Sequence, residues 1–539
     1  MPRSLFSWLP LLFVVAADLA AQERQQGRAL TLAEALEIAN KESESIGIAR
    51  AGIQSARGEQ RRARSEFFPQ LSGSVSYTRT LETQFAALSE DGEGGPPPGG
   101  TPVPTSCPTF VPNPAATPDE RLAALEEAAE CSSTVDPFGA FADLPFGQPN
   151  QWSFGLSLSQ NLFAGGRILA QNRIAAANRR SADTELTAQE AQLVLDVTTS
   201  YYDAVLSDRL VTIAEASLAQ AERTLKDVRL AREVGTQPEF DLLRAEVSRD
   251  NQRPAVIQRR TSRELAYLRL AQTLNLSLDE PLLLTTSLGD TADAPEPPAV
   301  PIADVAPAAP DTTVEERAPV RQAAENVRAS EGQVAVARSQ SLPSLVLSSQ
   351  YAKLNFPEDA FPSGRFLTDW TVGVALQLPL FTGGRLSGDR MVARAGADRA
   401  RLRLRQVEEQ ARLDTRNTIA NTEEAEARWS ATTGTVRQAQ RAYGIAEIRY
   451  REGISTQTEL SDSRLQLQEA QANRAQSARD LQVARVRLAL IRNLPLAGGS
   501  GASFTSAITS GANVAPRMPA PAVSPVRAVR EQGGTAVRR

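Results

Sequence analysis

Apolar and polar residues alternate at every second position in four separate stretches of the chain. A period of two places successive side chains on opposite faces of a β-strand, so these stretches predict strands. They lie at 71–82, 151–162, 344–354 and 369–381. Strands of about ten residues with an aromatic residue at one end, such as Trp152 or Trp370, are typical of a membrane β-barrel with apolar side chains toward lipid. Half-buried strands of a soluble sandwich are the alternative interpretation.

Long helices are predicted after the second strand of each pair, at 165–233 and 384–451, because no proline interrupts either stretch. At 1.5 Å per residue, each would be roughly 100 Å long. Helices of this length cannot fold into a globule and must pack lengthwise against others, as in a coiled coil or a tube of helices. Shorter amphipathic helices are predicted before each pair of strands, at 31–66 and 315–340.

Each long helix is expected to end in a short tip that leads into a return helix. The predicted tips are 234–241 and 452–459, and the return helices are 242–276 and 460–494. Gly235 and Gly453 suit the left-handed conformation that closes a helix. A threonine followed three residues later by glutamate predicts a capped helix start, and the candidate pairs are Thr31 with Glu34, Thr236 with Glu239 around Pro238, and Thr456 with Glu459.

An internal duplication organises the chain. WSFGLSLSQNLFAGGR around Trp152 corresponds to WTVGVALQLPLFTGGR around Trp370, and the same spacing relates Gly235 to Gly453. The predicted organisation is a signal peptide (1–21), a first structural repeat (22–276), a linker (277–314), a second repeat (315–496) and a disordered tail (497–539). The first repeat alone contains a long loop, 83–150, which is predicted to be extracellular.

The N-terminal residues have the pattern of a secretory signal, with Arg3, an apolar run and the cleavage site Leu19-Ala20-Ala21. A short N-terminal anchor is the alternative. No later segment is apolar enough for a transmembrane helix to be expected. Cys107 and Cys131 both lie in the long loop, and in an oxidising compartment they are expected to form a disulfide, with two free thiols as the alternative.

Composition narrows the function further. The chain has 539 residues and a net charge of −5, which argues against a nucleic-acid partner. Histidine is absent, so every histidine-based catalytic or zinc site is excluded. No nucleotide-binding loop GxxxxGK[ST] occurs. We therefore expect no enzyme, no cofactor and no metal site.

Four strands are too few to close a barrel, and open strand edges are not tolerated in lipid. Copies of the chain must therefore combine. Three copies would supply twelve strands, enough to begin enclosing an aqueous lumen. The long helices would then form a tube that continues from the barrel, and a hollow tube joined to a membrane barrel is a conduit.

Short motifs along nearly the whole mature chain resemble the TolC-like outer membrane efflux protein family. They are LTLAEAL at 30–36, FFPQLS at 67–72, TTSYYDAVL at 198–206, LFAGGR and LFTGGR after the second strand of each half, and the paired tips. The resemblance implies a mixed fold of a long-helix α-barrel and a transmembrane β-barrel, twelve-stranded in a homotrimer. It also implies an outer-membrane location, a periplasmic helical tunnel, and passive conduction as the exit duct of a tripartite efflux or type I secretion system. The implied partners are a periplasmic adaptor and an inner-membrane pump.

The resemblance also suggests functional residues at the tips, which in this family narrow the periplasmic entrance and contact the adaptor. The corresponding positions are Gly235, Asp241, Tyr450, Gly453, Glu459 and Asp462. The glycines serve equally well as ordinary helix terminators, and the acids as partners of helix dipoles. Trp152 and Trp370 are expected at a membrane interface, with simple barrel packing as the alternative. Ser455 and Phe240 depart from the polar or charged gate partners of TolC.

A periplasmic coiled-coil adaptor or scaffold is the alternative function. An adaptor also has long helical hairpins and an export signal. It would not be expected to duplicate a unit of two strands and a long helix, however, and a fibrous scaffold would leave the four alternating strands unexplained.

Overall fold

The computed structural model describes residues 28–81, 107, 110–111, 113–134, 150–290, 312–357 and 359–497. The predicted signal peptide, most of the linker and nearly all of the predicted tail lie outside these residues. The strands are β1 (Arg28–Leu30), β2 (Gln70–Arg79), β3 (Asn150–Phe163), β4 (Leu282–Leu284), β5 (Ser344–Asn355) and β6 (Leu367–Gln377). The helices are α1 (Leu32–Glu42), α2 (Glu44–Ser65), α3 (Pro118–Thr134), α4 (Arg167–Glu233), α5 (Glu239–Thr273), α6 (Ala318–Ser339), α7 (Arg385–Arg451) and α8 (Gln457–Ala489).

One antiparallel sheet of four strands, in the order β2-β3-β5-β6, joins the two repeats. Cross-strand partners share a face, and the register places Tyr77 opposite Trp152 and Tyr351 opposite Trp370. Leucine, valine and aromatic side chains dominate this face along all four strands, whereas serine, threonine, glycine and alanine dominate the other. The sheet therefore has one apolar and one polar surface.

Two consecutive glycines turn the chain from β3 into α4 and again from β6 into α7. Gly165 and Gly166 have φ of 58° and 84°, and Gly383 and Gly384 have φ of 57° and 87°. Side chains with a Cβ rarely adopt this conformation, which explains the repeated pair of glycines. At Gly165 a Cβ would also lie 2.8 Å from the carbonyl oxygen of Ser339.

Small side chains pack the helices closely against one another. α4 contacts α1, α2, α5, α6 and α8, and alanines such as Ala191, Ala204 and Ala478 are fully buried in these contacts. Gly332 on α6 approaches α4 so closely that a Cβ there would lie 2.4 Å from Ile174 Cγ1. Within the described residues, no helix is long and apolar enough to cross a membrane.

The helix predicted at 31–66 is wrong as a single element. Thr31 and Glu34 form the predicted capping box, which is confirmed at the start of α1. The chain leaves the helical conformation at Ser43, where φ is −67° and ψ is 122°. The Ser43 hydroxyl hydrogen-bonds that of Ser45 at 2.8 Å, and such local serine bonds compete with helix formation. Two shorter helices result, and both pack on α4.

A second, small sheet pairs the start of the first repeat with a segment that was predicted to be plain linker. β1 and β4 pair in parallel beside the core cluster that contains Tyr201. The Tyr201 hydroxyl donates to the Leu30 carbonyl oxygen at 2.8 Å and accepts from the N–H of Thr286 at 3.2 Å. The linker prediction is therefore corrected at its start, because three-residue strands are too short to show a period. Likewise, the loop predicted at 83–150 contains helix α3.

A buried ion pair fixes the start of the second repeat. Arg317 is 0% exposed, and its Nη2 donates to Asp414 Oδ2 at 2.7 Å. Its remaining N–H groups donate to the carbonyl oxygens of Ile491 at 3.1 Å and Ala411 at 3.0 Å, and to the hydroxyl of Thr415. Because the guanidinium donates to several oxygens, it ties the beginning of α6 to α7 and to the chain just beyond α8.

The close approach at Gly332 predicts opposite effects for two glycine substitutions within helices. Gly332→Ala should lower stability by about 1–3 kcal/mol, because the β-branched Ile174 has little freedom to move away. Gly52→Ala on α2 meets nothing within 4 Å and should stabilise by about 0.5–1 kcal/mol through helix propensity. Thermal unfolding in detergent, followed by circular dichroism, checks both. Equal shifts in melting temperature would contradict the packing argument.

Candidate functional site at the hairpin tips

The two hairpins, α4–α5 and α7–α8, turn in the same way. Gly235 and Gly453 are left-handed, with φ of 80° and 72°. In the first turn the N–H of Thr236 donates to the Ala231 carbonyl oxygen at 2.8 Å, and the second turn has the equivalent bond, from Ile454, at the same distance. This bond from the third residue after the helix back into its last turn is a Schellman motif, which satisfies helix-end carbonyls.

The return helices begin differently. At α8 the Thr456 hydroxyl accepts from the N–H of Glu459 at 3.3 Å, so the predicted cap is confirmed. At α5 the predicted cap is wrong, because Pro238 occupies the N-cap position and no side chain caps the helix. The Thr236 hydroxyl donates instead to the Ala231 carbonyl oxygen at 2.9 Å, within the turn that closes α4. One tip is therefore capped by a side chain and the other is not.

Tyr450, at the end of α7, lies against the first hairpin. It packs on an apolar cluster formed by α4 and α5, namely Leu225, Val228, Leu242 and Ala245. Burial raises the pKa of the Tyr450 phenol, and the carboxylates of Asp241 and Asp227 raise it further. The structure therefore brings two of the predicted tip residues, Tyr450 and Asp241, close together across the two hairpins.

Polar contacts also link the first turns of α5 and α8. The Arg244 guanidinium donates to the Thr458 hydroxyl, and Arg464 Nη2 donates to the Ser248 hydroxyl at 3.0 Å. The Gln457 side chain is 3% exposed and, with its amide oriented to satisfy both atoms, bonds the Asp241 carbonyl oxygen at 3.0 Å and the Ala245 N–H at 3.1 Å. These bonds join the hairpins directly.

The acidic residues at the tips differ in whether they form ion pairs. Glu459 pairs with Arg449 at 3.3 Å, an ion pair within the second hairpin. Asp462 is exposed and forms no ion pair with any residue that the structure describes. In the first hairpin, Arg232 pairs with Glu239 at 3.4 Å. Among the described residues, neither Glu459 nor Asp462 therefore forms an ion pair with the other hairpin.

A small polar cavity lies between the hairpins just behind the tips. Its lining includes Gln220 and Thr224 from α4, Tyr443 from α7, and Ser461 and Arg464 from α8. The Tyr443 hydroxyl and Arg464 Nε are buried there without a hydrogen-bond partner among the described residues. The contact between the hairpins is therefore polar and incompletely packed at this point.

Large apolar side chains at the tips remain in solvent. Val234, Phe240 and Ile454 are each more than three-fifths exposed. The Arg244 guanidinium lies over the Phe240 ring, 5.0 Å from its centre. The tips therefore present apolar side chains beside cationic ones.

The remaining predicted residues lie at the opposite end of the sheet from the helices. Trp370 is 70% exposed on the apolar face, whereas Trp152 is partly buried and its indole N–H donates to the Ala360 carbonyl oxygen at 2.9 Å. Cys107 and Cys131 form a disulfide that joins α3 to the preceding loop, with their Cα atoms 5.7 Å apart.

Arg244, Gln457, Arg449 and Arg464 contribute to the tips but were not singled out from the sequence. All four are polar residues, of the types that are mostly exposed to solvent on helices. Their polar character gives no signal of which helix lies opposite. Only the placement of α5 beside α8 shows that three of them link the hairpins.

Comparisons with known proteins extend these observations. The model of the outer membrane efflux protein family matches residues 143–276 and 309–493. The probable efflux pump outer membrane protein SepC of Pseudomonas putida F1 is 26% identical over 247 residues, 45% of this chain and 48% of that protein. The chain thus spans about half the length of this relative. Nodulation protein T of Rhizobium leguminosarum bv. viciae is 25% identical over 398 residues, 72% and 78% of the two chains.

A solved structure, that of the outer membrane channel CmeC of Campylobacter jejuni, has the same fold. It aligns with a TM-score of 0.64 at 15% identity, over 86% of each chain. A sheet with one apolar face, continued by long helical hairpins, is the fold shared with TolC-like proteins of the outer membrane. The matched residues make up more than half of the sequence, and the chain belongs to the outer membrane efflux protein family. This is a family of channel proteins rather than enzymes.

The difference between the two caps predicts a difference in local stability. Thr456→Ala should destabilise the first turn of α8 by about 1 kcal/mol, because the N–H of Glu459 loses its acceptor. Thr236→Ala removes no cap and serves as the matched control. Hydrogen exchange at the amides of the two first turns gives the readout. The cap assignment fails if α5 is affected as strongly by Thr236→Ala as α8 is by Thr456→Ala.

Proposed function

We propose that three copies of the chain form an outer-membrane channel that conducts substrates passively from the periplasm to the exterior. The channel would be the exit duct of a tripartite efflux or type I secretion system. A periplasmic adaptor and an inner-membrane pump would be its partners. The pump would supply the energy, since the sequence has no nucleotide-binding loop.

The four-stranded sheet carries this proposal. Its apolar face suits lipid, and its serine- and threonine-rich face suits an aqueous lumen. β2 and β6 form the edges of the sheet. Unpaired strand edges cost several kcal/mol for each group in a bilayer, so β6 of one copy must pair with β2 of the next. Three copies give twelve strands, which is wide enough for a water-filled interior.

The hairpins would continue this barrel as a tunnel in the periplasm. Long helices that bury alanine against alanine pack side by side, and this packing suits the wall of a tube. Asp241, Glu459 and Asp462, each repeated by the threefold symmetry, would favour cations at the narrow end. Passage through such a tunnel requires no catalytic group.

The tips would act as the periplasmic gate. The contacts of Tyr450 and Arg464 with the first hairpin, and of Arg244 with the second, favour a closed arrangement. The hairpins meet there around a small polar cavity instead of a packed apolar interface, so they could separate at moderate cost. Exposed Val234, Phe240 and Ile454 would then be the apolar contacts for the adaptor.

Electron microscopy of the mature protein, purified in detergent from outer membranes, tests the channel itself. We expect threefold particles with a tube on the order of 100 Å projecting from a detergent belt, because α4 and α7 are each 67 residues long. A soluble monomer or an elongated dimer without a belt would refute the proposal and favour a periplasmic adaptor or scaffold.

Single-channel recording in planar bilayers tests the gate. The variant Arg244→Ala with Arg464→Ala removes two bonds between the hairpins, each worth about 1.5–3 kcal/mol. The open fraction should therefore rise by about tenfold or more. Arg229→Ala is the matched control, because Arg229 pairs with Glu246 within the first hairpin at 3.2 Å. Equal effects of the control and the double variant would remove the gate role from the contacts between hairpins.

A further inference from the structure

Every junction between the four-stranded sheet and the helices combines an arginine with an apolar residue. Near each strand end the two side chains follow one another closely in the chain. The pairs are Arg64 with Phe67, Phe163 with Arg167, Arg338 with Leu342, and Phe381 with Arg385. The four apolar residues are all exposed, Phe381 to 91%.

The strand register places all four junctions at the same end of the sheet, where the strands meet the helices. Gln70, which begins β2, pairs with Ser159 near the end of β3. Phe163 pairs with Leu345 at the start of β5. The first residue of β5 likewise pairs with Gln377, the last of β6. The arginines and their apolar neighbours therefore form one continuous row, which we call the junction row.

Excess positive charge in the junction row comes from α2 and α6. Arg167 is paired with Glu66 and Arg385 with Asp389, each at 3.2 Å, so these two arginines are largely neutralised. Four other arginines are exposed and form no ion pair with the described residues, namely Arg61, Arg62, Arg64 and Arg338. Glu59 and Glu66 are the carboxylates nearest in sequence to the three on α2, and Glu66 is paired with Arg167.

The end of α2 holds its arginines beside two phenylalanines in a fixed geometry. Arg57, Arg61 and Arg64 have the spacing of one helix face, which borders the buried Gln60. The N–H of Phe67 donates to the Arg64 carbonyl oxygen at 3.1 Å, so the turn is ordered. Phe68, which follows, is 66% exposed. Cations next to exposed aromatic rings are typical of a membrane interface, with the rings in the apolar layer and the cations among the headgroups.

We propose that the junction row binds the phosphate groups of anionic phospholipids in the periplasmic leaflet of the membrane. This inference rests on the proposed function, because it needs the apolar face of the sheet to lie in lipid. Arg61, Arg62, Arg64 and Arg338 supply the charge that selects anionic over zwitterionic headgroups. The neighbouring apolar side chains set the depth at which the sheet lies in the bilayer.

Lipid-induced stabilisation tests the selection. The melting temperature of the full mature chain in detergent is titrated with phosphatidylglycerol and, separately, with phosphatidylcholine. Phosphatidylglycerol should stabilise the wild type at lower concentration. The variant R61Q/R62Q/R64Q should weaken this apparent affinity by about fivefold for each arginine that contacts the headgroups. Arg338→Gln gives an independent test from the second repeat.

The variant R259Q/R437Q/R441Q is the matched control, since these exposed arginines lie on α5 and on the part of α7 far from the sheet. It should keep the preference for phosphatidylglycerol. An equal response of the wild type to both lipids overturns the inference. The inference is also overturned if the variant R61Q/R62Q/R64Q has a lower melting temperature without lipid but keeps the full increase in melting temperature with phosphatidylglycerol. The arginines would then serve only the α2 helix dipole.

Insertion into vesicles separates this inference from the proposed function. The lipid inference alone is refuted if the wild-type protein inserts into phosphatidylcholine vesicles and conducts ions but shows no preference for phosphatidylglycerol. Both the lipid inference and the proposed function are refuted if the wild-type protein inserts into neither kind of vesicle.

Discussion

The rest of the structure depends on backbone hydrogen bonding across the β2-β3-β5-β6 sheet. Each repeat supplies only two strands of this sheet, and neither pair could bury or satisfy its own backbone. Pairing β3 with β5 therefore holds the two halves of the duplication together at one end. The two remaining edges, on β2 and β6, are what make further copies of the chain necessary in the proposed assembly.

The glycine pairs transmit the geometry of the sheet to the helices. Because Gly165 and Gly166 are both left-handed, β3 passes into α4 without a loop, and the second repeat does the same at Gly383 and Gly384. Such direct connections fix the direction in which the long helices leave the sheet. Gly332 then lets α6 approach α4, so the packing near the sheet is as close as the backbone allows.

The tips differ from the middle of the helices in how they are held. Midway along α7, Arg317 is fully buried and donates to several oxygens, an arrangement with little freedom to change. At the tips the hairpins meet through a few polar bonds, one aromatic ring and a cavity with unpaired polar atoms. A tightly held middle and a weakly joined tip together suit the proposed gate, which would open at the tips while the rest of the helices stay packed.

The sequence by itself determined the duplication, the four strands, the long helices and the glycine turns, because each depends on local periodicity or on backbone conformations that particular residues require. It also pointed to Tyr450 and Asp241 through family resemblance. Only the tertiary structure decided that Tyr450 lies against the first hairpin. It also showed that Arg244 of α5 binds α8 and that Arg464 of α8 binds α5. The division of the first helix at Ser43 was likewise visible only there. The tertiary structure alone revealed β1 and β4, whose three residues each are too few to show a period. The physical reason is the same throughout: a helix or strand pattern records which face of an element is apolar, whereas the partner of that face is set by contacts between residues far apart in the chain.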